Sequence, residues 1–232
     1  GSWGDFYSHT AANEGGTGAQ VIFGYILEIP KVNANGGLVA YYPFNGNAND
    51  ESGNGNNGSV IGAELVEDRF GNPNSAYTFK NDNSSDGGSY ILAPTTGFSF
   101  GNENRTVSAW LKPINEKSHV FFSYGNLTSG WRSGGHNNPG SNVFYGLGSL
   151  QVNTFSIGRD GGGEQIRHNY EPNKWYHVII VYDSGLAKLY VDGSLSSQVA
   201  RKYSTEKSDL RIGAYVGNHP TWEGQIDDLR VY

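Results

Sequence analysis

No cysteine occurs in the 232 residues. Thiolate metal sites and cysteine nucleophiles are therefore excluded. The compartment stays open, because a chain of this length buries enough core to do without disulfides. Methionine is absent too, so the sequence reads as a mature or excised piece of a longer protein, and Gly1-Ser2 resembles a cloning scar. Charged residues make up only 16% and the net charge is −6. No basic block exists to follow a phosphate backbone, which argues against nucleic acid as a partner. No run reaches the roughly 18 apolar residues of a membrane-spanning helix, so no membrane insertion is expected. No segment has a convincing helical period, and no repeat at solenoid or propeller spacing is visible.

What is abundant is glycine, with 34 residues, and tyrosine, with 15; aromatics reach 13%. Gly-rich turns between aromatic, β-branched strands fit a sandwich or a barrel. Residues 1–19 read as a linker, and 20–29 (QVIFGYILEI) as one extra strand ended by Pro30. From Gly37 short strands follow at roughly 8–12-residue spacing, which predicts two packed antiparallel sheets. In 105–113 (RTVSAWLKP) Val107, Ala109 and Leu111 share one face and Thr106, Ser108 and Trp110 the other. Residues 175–199 contain three strands, joined at Asp183-Ser184-Gly185 and by a hairpin at Asp192-Gly193.

The order of five segments carries a resemblance: GLVAYYPFNGNANDESGNGNNG, DRFGNPNSAYTF, RTVSAWLKP, NKWYHVIIVYDSGLAKLYVDG and GQIDDLRVY. Together they resemble the laminin-G-like jelly roll of the concanavalin A-like lectin/glucanase superfamily. The resemblance covers 37–232 and leaves 1–36 as a linker with one extra strand. It implies an all-β, two-sheet antiparallel jelly-roll sandwich in a larger secreted or cell-surface protein, binding glycans or proteins. It also implies a structural calcium ion. Similar domains use an Asp before Ser-Gly-Asn-Gly and an Asp in the final strand, which here match Asp50 and Asp227, with Asn54 and Asn56 adding oxygens. The loop itself suits a hard cation, being rich in Asn and Asp oxygens and free of Lys and Arg between Asn45 and Asn57.

Catalytic patterns are poorly represented. Glucan hydrolases of this superfamily place three acidic residues on one strand as E-x-D-x-x-E, which aligns nucleophile and acid on one face. No such strand occurs here. Gln165-Ile166-Arg167-His168 and Arg105-Thr106 match fragments of the alginate-lyase-like pattern, but His168 is displaced by one residue, which turns it to the other sheet face. His177 reads as a packed core histidine, and Trp110 and Trp175 as structural.

The features left over suit sugar binding, in which aromatic rings stack on C–H-rich faces and amides and guanidinium groups satisfy hydroxyls. Trp131, Arg132, His136 and Asn137 cluster in the Gly-rich loop 126–142. Arg159, Arg167 and Tyr170 lie on adjacent expected strands, and Trp222 stands near Tyr215, Asn218 and His219. The expectation is a non-catalytic, lectin-like carbohydrate-binding module whose partner is a glycan or polysaccharide. An adhesion or spacer domain, contacting a cell-surface protein or nothing, is the second reading, and a polysaccharide hydrolase or lyase the third.

Overall fold

A computed structural model describes residues 19–22, 25–28, 37–80, 88–115, 120–125, 143–148, 154–157, 167–200, 202–216 and 221–232. The segment 20–29 is not one strand. Its chain forms β1 (Ala19–Ile22) and β2 (Tyr25–Glu28), which pair with Ile22 opposite Tyr25. Gly24 interrupts the apolar run at that point in the sequence.

The rest is a sandwich of two antiparallel sheets, the jelly-roll arrangement that the strand spacing predicts. Their strands, in chain order, are β3 (Ala40–Tyr42), β4 (Ser59–Ile61), β5 (Glu64–Val66), β6 (Ala76–Phe79), β7 (Tyr90–Ala93), β8 (Arg105–Pro113), β9 (Val120–Gly125), β10 (Val143–Gly148), β11 (Thr154–Ile157), β12 (Arg167–Asn169), β13 (Tyr176–Asp183), β14 (Leu186–Val191), β15 (Ser194–Ala200), β16 (Leu210–Ile212) and β17 (Gly224–Val231). One sheet runs β12-β11-β10-β9-β16-β7-β4. The other runs β15-β14-β13-β8-β17-β6-β5, with β3 also paired to β17. Strand β17 lies between β8 and β6, so the last strand is held on both sides.

Alternation decides which side chains enter the core. Val107, Ala109 and Leu111 of β8 are buried against Tyr176, Val178, Ile180 and Tyr182 of β13 in one cluster. From the other sheet come Ile91, Phe122, Tyr124, Phe155 and Ile212. The turn between β14 and β15 has φ of 47° at Asp192 and 78° at Gly193, the left-handed pair expected of a two-residue hairpin. Trp110 and Trp175, read as core residues, are instead half-buried. Trp110 stands on the outer face of the eight-stranded sheet, in line with His177 and Asp227 across the ladder, and Trp175 directly precedes β13 with the Lys112 ammonium 5.9 Å from its ring. Alternation explains the place of Trp110, because its neighbours Ala109 and Leu111 point inward.

Candidate functional site

The seven-stranded sheet has one end at which the polar segments converge. In its ladder Val143 faces Gly125, Gly146 faces Ile157, and Ser156 faces Arg167. Ile157 and Arg167 therefore stand in the Gly146 and Leu147 rows, nearer the other end, whereas Gly125 and Val143 are at this end, where they flank residues 126–142. Leu210 faces Ala93 and Arg211 faces Ser123, which brings 94–100 and 207–209 to that end as well. The Gly125 amide donates to Ser208 Oγ at 2.7 Å, and Thr95 Oγ1 donates to the Ser208 carbonyl at 2.7 Å.

Between these segments lies a depression of about 520 Å³ lined by Pro94–Gly97, Phe98, Phe100 and Lys207–Asp209. Phe98 and Phe100 stand edge-on to Tyr124, with centroids 5.4 and 5.9 Å apart. Thr96, Lys207 and Asp209 are exposed. A hydroxyl, an ammonium and a carboxylate thus border a floor with aromatic content, a combination that suits a hydroxylated ligand. Sequence reading missed this wall, because PTTGFSFG offers no periodic or charge signal. The visible hint was the position of Lys207-Ser208-Asp209 directly before β16.

Beneath the depression Arg105 is fully buried. Its guanidinium donates to the carbonyls of Ser99, Phe100, Gly101 and Glu103 at 2.7–3.3 Å. Three tyrosine rings, Tyr124, Tyr182 and Tyr203, surround it at 5.7–6.0 Å. The arginine thus shapes the loop that forms one wall.

The residues expected to bind ligand fare differently. Trp131, Arg132, His136, Asn137 and Arg159 lie outside the described residues. Arg167 is placed by its backbone at the start of β12, opposite Ser156. Tyr170 and Trp222 are not on an exposed face; they are 4% and 0% exposed. Tyr170 packs on Phe155 with centroids 4.9 Å apart, and its hydroxyl donates to the Asn115 carbonyl at 3.4 Å. Trp222 stands edge-on to Phe121 at 5.8 Å, and its amide donates to the Gly213 carbonyl at 2.7 Å. Both rings have enough apolar area to be drawn into the adjoining core, which a loop-like sequence context conceals. Tyr215 is buried as well. His168 is half-buried, with a ring nitrogen 3.0 Å from Ser196 Oγ, and burial holds its pKa below the usual value.

The four residues matched to calcium are also committed. Burial pushes the Asp50 carboxyl up, but hydrogen bonds from Ser52, Tyr41 and Asn56 outweigh it and hold its pKa low. Its Oδ1 accepts the Tyr41 and Ser52 amides and its Oδ2 the Asn56 amide, all at 2.9 Å. Asn56 accepts the Thr96 amide and donates to the Val39 and Thr96 carbonyls at 2.9 and 3.1 Å. Asn54 turns its NH₂ onto the Leu38 and Val39 carbonyls at 3.1 and 3.2 Å. Asp227 is ion-paired with Arg69. Burial raises the Asp227 pKa, Arg69 opposes this, and Asp228 adds to it, with a net value of about 7. Calcium needs six to eight converging oxygens. Here N–H groups occupy most of the oxygens that would supply them, so the arrangement does not fit the ion.

The family model for the concanavalin A-like lectin/glucanases superfamily, of laminin-G type, matches residues 85–232. The chain belongs to this family. It is 25% identical over 145 residues, 56% of its length, to adhesion G-protein coupled receptor V1 of Danio rerio, of which it spans 2%. Its fold is similar to domain 4 of AbnA, an extracellular arabinanase of Geobacillus stearothermophilus solved with arabinotriose. The TM-score is 0.61 at 20% identity, over 84% of this chain and 92% of that one. It is similar also to a botulinum neurotoxin D/C binding domain, with a TM-score of 0.56 at 13% identity over 85% of this chain and 49% of that one. Trypanosoma rangeli sialidase, solved with sialic acid, gives 0.56 at 17% identity over 87% and 31%. The fold is therefore lectin-like. No helix among the described residues is long and apolar enough to cross a membrane.

Proposed function

We propose that this domain is a non-catalytic carbohydrate-binding module of a secreted or surface protein, and that it takes its glycan at the loop-bearing end of the seven-stranded sheet. The observation that carries this reading is the convergence of segment ends. Gly125, which directly precedes the Trp131 loop, donates its amide to Ser208 in the wall of the depression that Thr96, Lys207 and Asp209 border. A hydroxyl, an ammonium and a carboxylate around a floor that contains Phe98 and Phe100 offer both hydrogen bonding and apolar contact. The likeness to an arabinanase domain solved with arabinotriose is in keeping with this. The non-catalytic part rests on Arg105, the arginine of the lyase-like fragment, which is spent on four backbone carbonyls. The likeness to an adhesion receptor favours the second reading, a domain that contacts protein.

A glycan array followed by titration calorimetry tests the proposal. Trp131→Ala and Lys207→Ala should each weaken binding, the former by roughly 1–3 kcal/mol if the ring is a central anchor. Melting temperature should stay unchanged in both. Binding that survives both substitutions would remove the ligand from this end of the sheet. Release of reducing ends or unsaturated products from laminarin, agarose, carrageenan or alginate, abolished by one acidic or histidine substitution, would make the domain an enzyme.

A further inference from the structure

Consecutive residues of a regular strand point to opposite faces of the sheet. Asp227 and Asp228 of β17 do not, for both carboxylates bind the same guanidinium, that of Arg69. The ladder shifts register between Asp227 and Arg230, and Asp228 has a φ of 55°. Such a bulge with a left-handed aspartate is costly for a strand interior and re-aims a side chain. It brings two carboxylates to one cation.

That cation is held from several sides. The guanidinium carbon of Arg69 lies 4.5 Å from the Phe70 ring centroid and 4.7 Å from that of Trp110. Arg230 closes the row, 2.9 Å from Asp228 Oδ1 and 4.4 Å from the Tyr41 ring. Two carboxylates thus face two guanidinium groups. The nearby Asp68 spends its oxygens on Phe70, Asn72 and the Asn72 side chain at 2.7–2.9 Å. The row joins the segment after β5 to β17 and, through Arg230 and Tyr41, to β3, and Tyr41 faces Arg230 in the ladder.

We infer that Arg69 is the resident cation of the last strand: its guanidinium ties down Asp227, the last-strand carboxylate for which the family resemblance invokes calcium, together with its neighbour Asp228, and this place in the fold is independent of calcium. The reasoning is electrostatic. An arginine fork satisfies carboxylates bidentately and keeps its charge at every working pH. With both carboxylates paired, a divalent ion would have to displace a partly buried arginine and leave it uncompensated, at considerable cost.

The test uses the purified domain, its melting temperature read in EDTA and in millimolar CaCl₂. The expected result is one melting temperature in both. Arg69→Ala should lower it by about 5–15 °C, since removing one partner of a buried pair strands the other charge. Adding Asp227→Asn to Arg69→Ala should restore part of that loss. If Arg69→Ala does not fold, Arg69→Lys, which keeps the charge without the fork, should fold and melt between the two. Calcium stabilisation of the parent that disappears in Asp227→Asn would overturn the inference. So would an Arg69→Ala protein that melts with the parent.

Discussion

The imidazole of His177 stacks on the indole of Trp110, with ring centroids 5.1 Å apart and planes 24° from parallel. The two are direct neighbours across the β8–β13 ladder. His177 is 5% exposed. Burial, then Arg230 and Arg69, lowers its pKa to about 4. Its folded value is below the unfolded value of about 6.5, so its contribution is complete above that pH. The contribution is lost as pH falls towards about 4, where it has cost up to about 3 kcal/mol. Melting temperatures between pH 8 and pH 4 should therefore fall more steeply for the parent than for His177→Gln. Parallel curves would show that the histidine stays neutral for another reason or titrates without consequence.

Asn56 is the second test of how this end of the molecule is built. It has no exposed surface, and its side chain joins the Val39 and Thr96 backbones while its own carbonyl accepts the Tyr42 hydroxyl at 2.7 Å. Asn56→Ala removes three hydrogen bonds, leaving the Thr96 amide and carbonyl without this partner and the Val39 carbonyl with only Ser52 and Asn54. At about 1 kcal/mol per lost bond, the expected destabilisation is about 2–4 kcal/mol, measurable by urea denaturation. Because Thr96 borders the depression, the variant should also bind glycan more weakly than Asn57→Ala, an exposed neighbour.

These residues show what the sequence can and cannot disclose. The inward face of β8 was legible, because a period of two over nine residues leaves no other assignment for Val107, Ala109 and Leu111. The hairpin at Asp192-Gly193 was legible because its chemistry is local. Trp222 was misplaced because its burial depends on Phe121, 101 positions away in sequence and on another strand. The Arg69–Asp227 pair spans 158 positions and the Arg105 cradle depends on how 99–103 curls, so neither leaves a periodic trace. The calcium expectation failed to anticipate Arg69 for the same reason: the matched aspartates were visible, and the arginine that occupies one of them was remote.

Arg105 supports a sharper prediction about the depression. Replacement by Met keeps much of the apolar stem but removes every guanidinium donor from the carbonyls of Ser99, Phe100, Gly101 and Glu103. The expected loss is about 3 kcal/mol or more, from four lost charge-assisted bonds in a buried site, although the Phe100 and Gly101 carbonyls keep the Glu103 and Thr205 amides. Lys in its place satisfies fewer of them and should recover only part. Hydrogen exchange should accelerate first in residues 99–106 and only later in β13, because the cradle is local. Uniform acceleration through both sheets would mean that Arg105 serves the whole core instead.

The narrowest steric constraint is at Gly213, directly after β16. Its φ is +85°, and a Cβ built there would lie 2.2 Å from Cδ1 and 2.6 Å from Cε1 of Phe79. Phe79 is fully buried and belongs to the opposite sheet. The two sheets therefore approach so closely at this point that only a hydrogen fits. Gly213 also donates its amide to the Phe121 carbonyl at 2.8 Å and accepts the Trp222 amide at 2.7 Å, so its backbone cannot retreat without breaking both bonds. Gly213→Ala must pay for an unfavourable φ and displace an aromatic ring in a packed core, together about 3 kcal/mol or more. The substitution should lower the urea midpoint sharply, with no change expected from Gly71→Ala beyond that of its own φ of +85°, because nothing stands within 4 Å of that position. The difference between the two variants isolates the clash with Phe79 from the backbone term. Equal losses in both would show that the ring swings aside at little cost and that the sheets are less tightly apposed there.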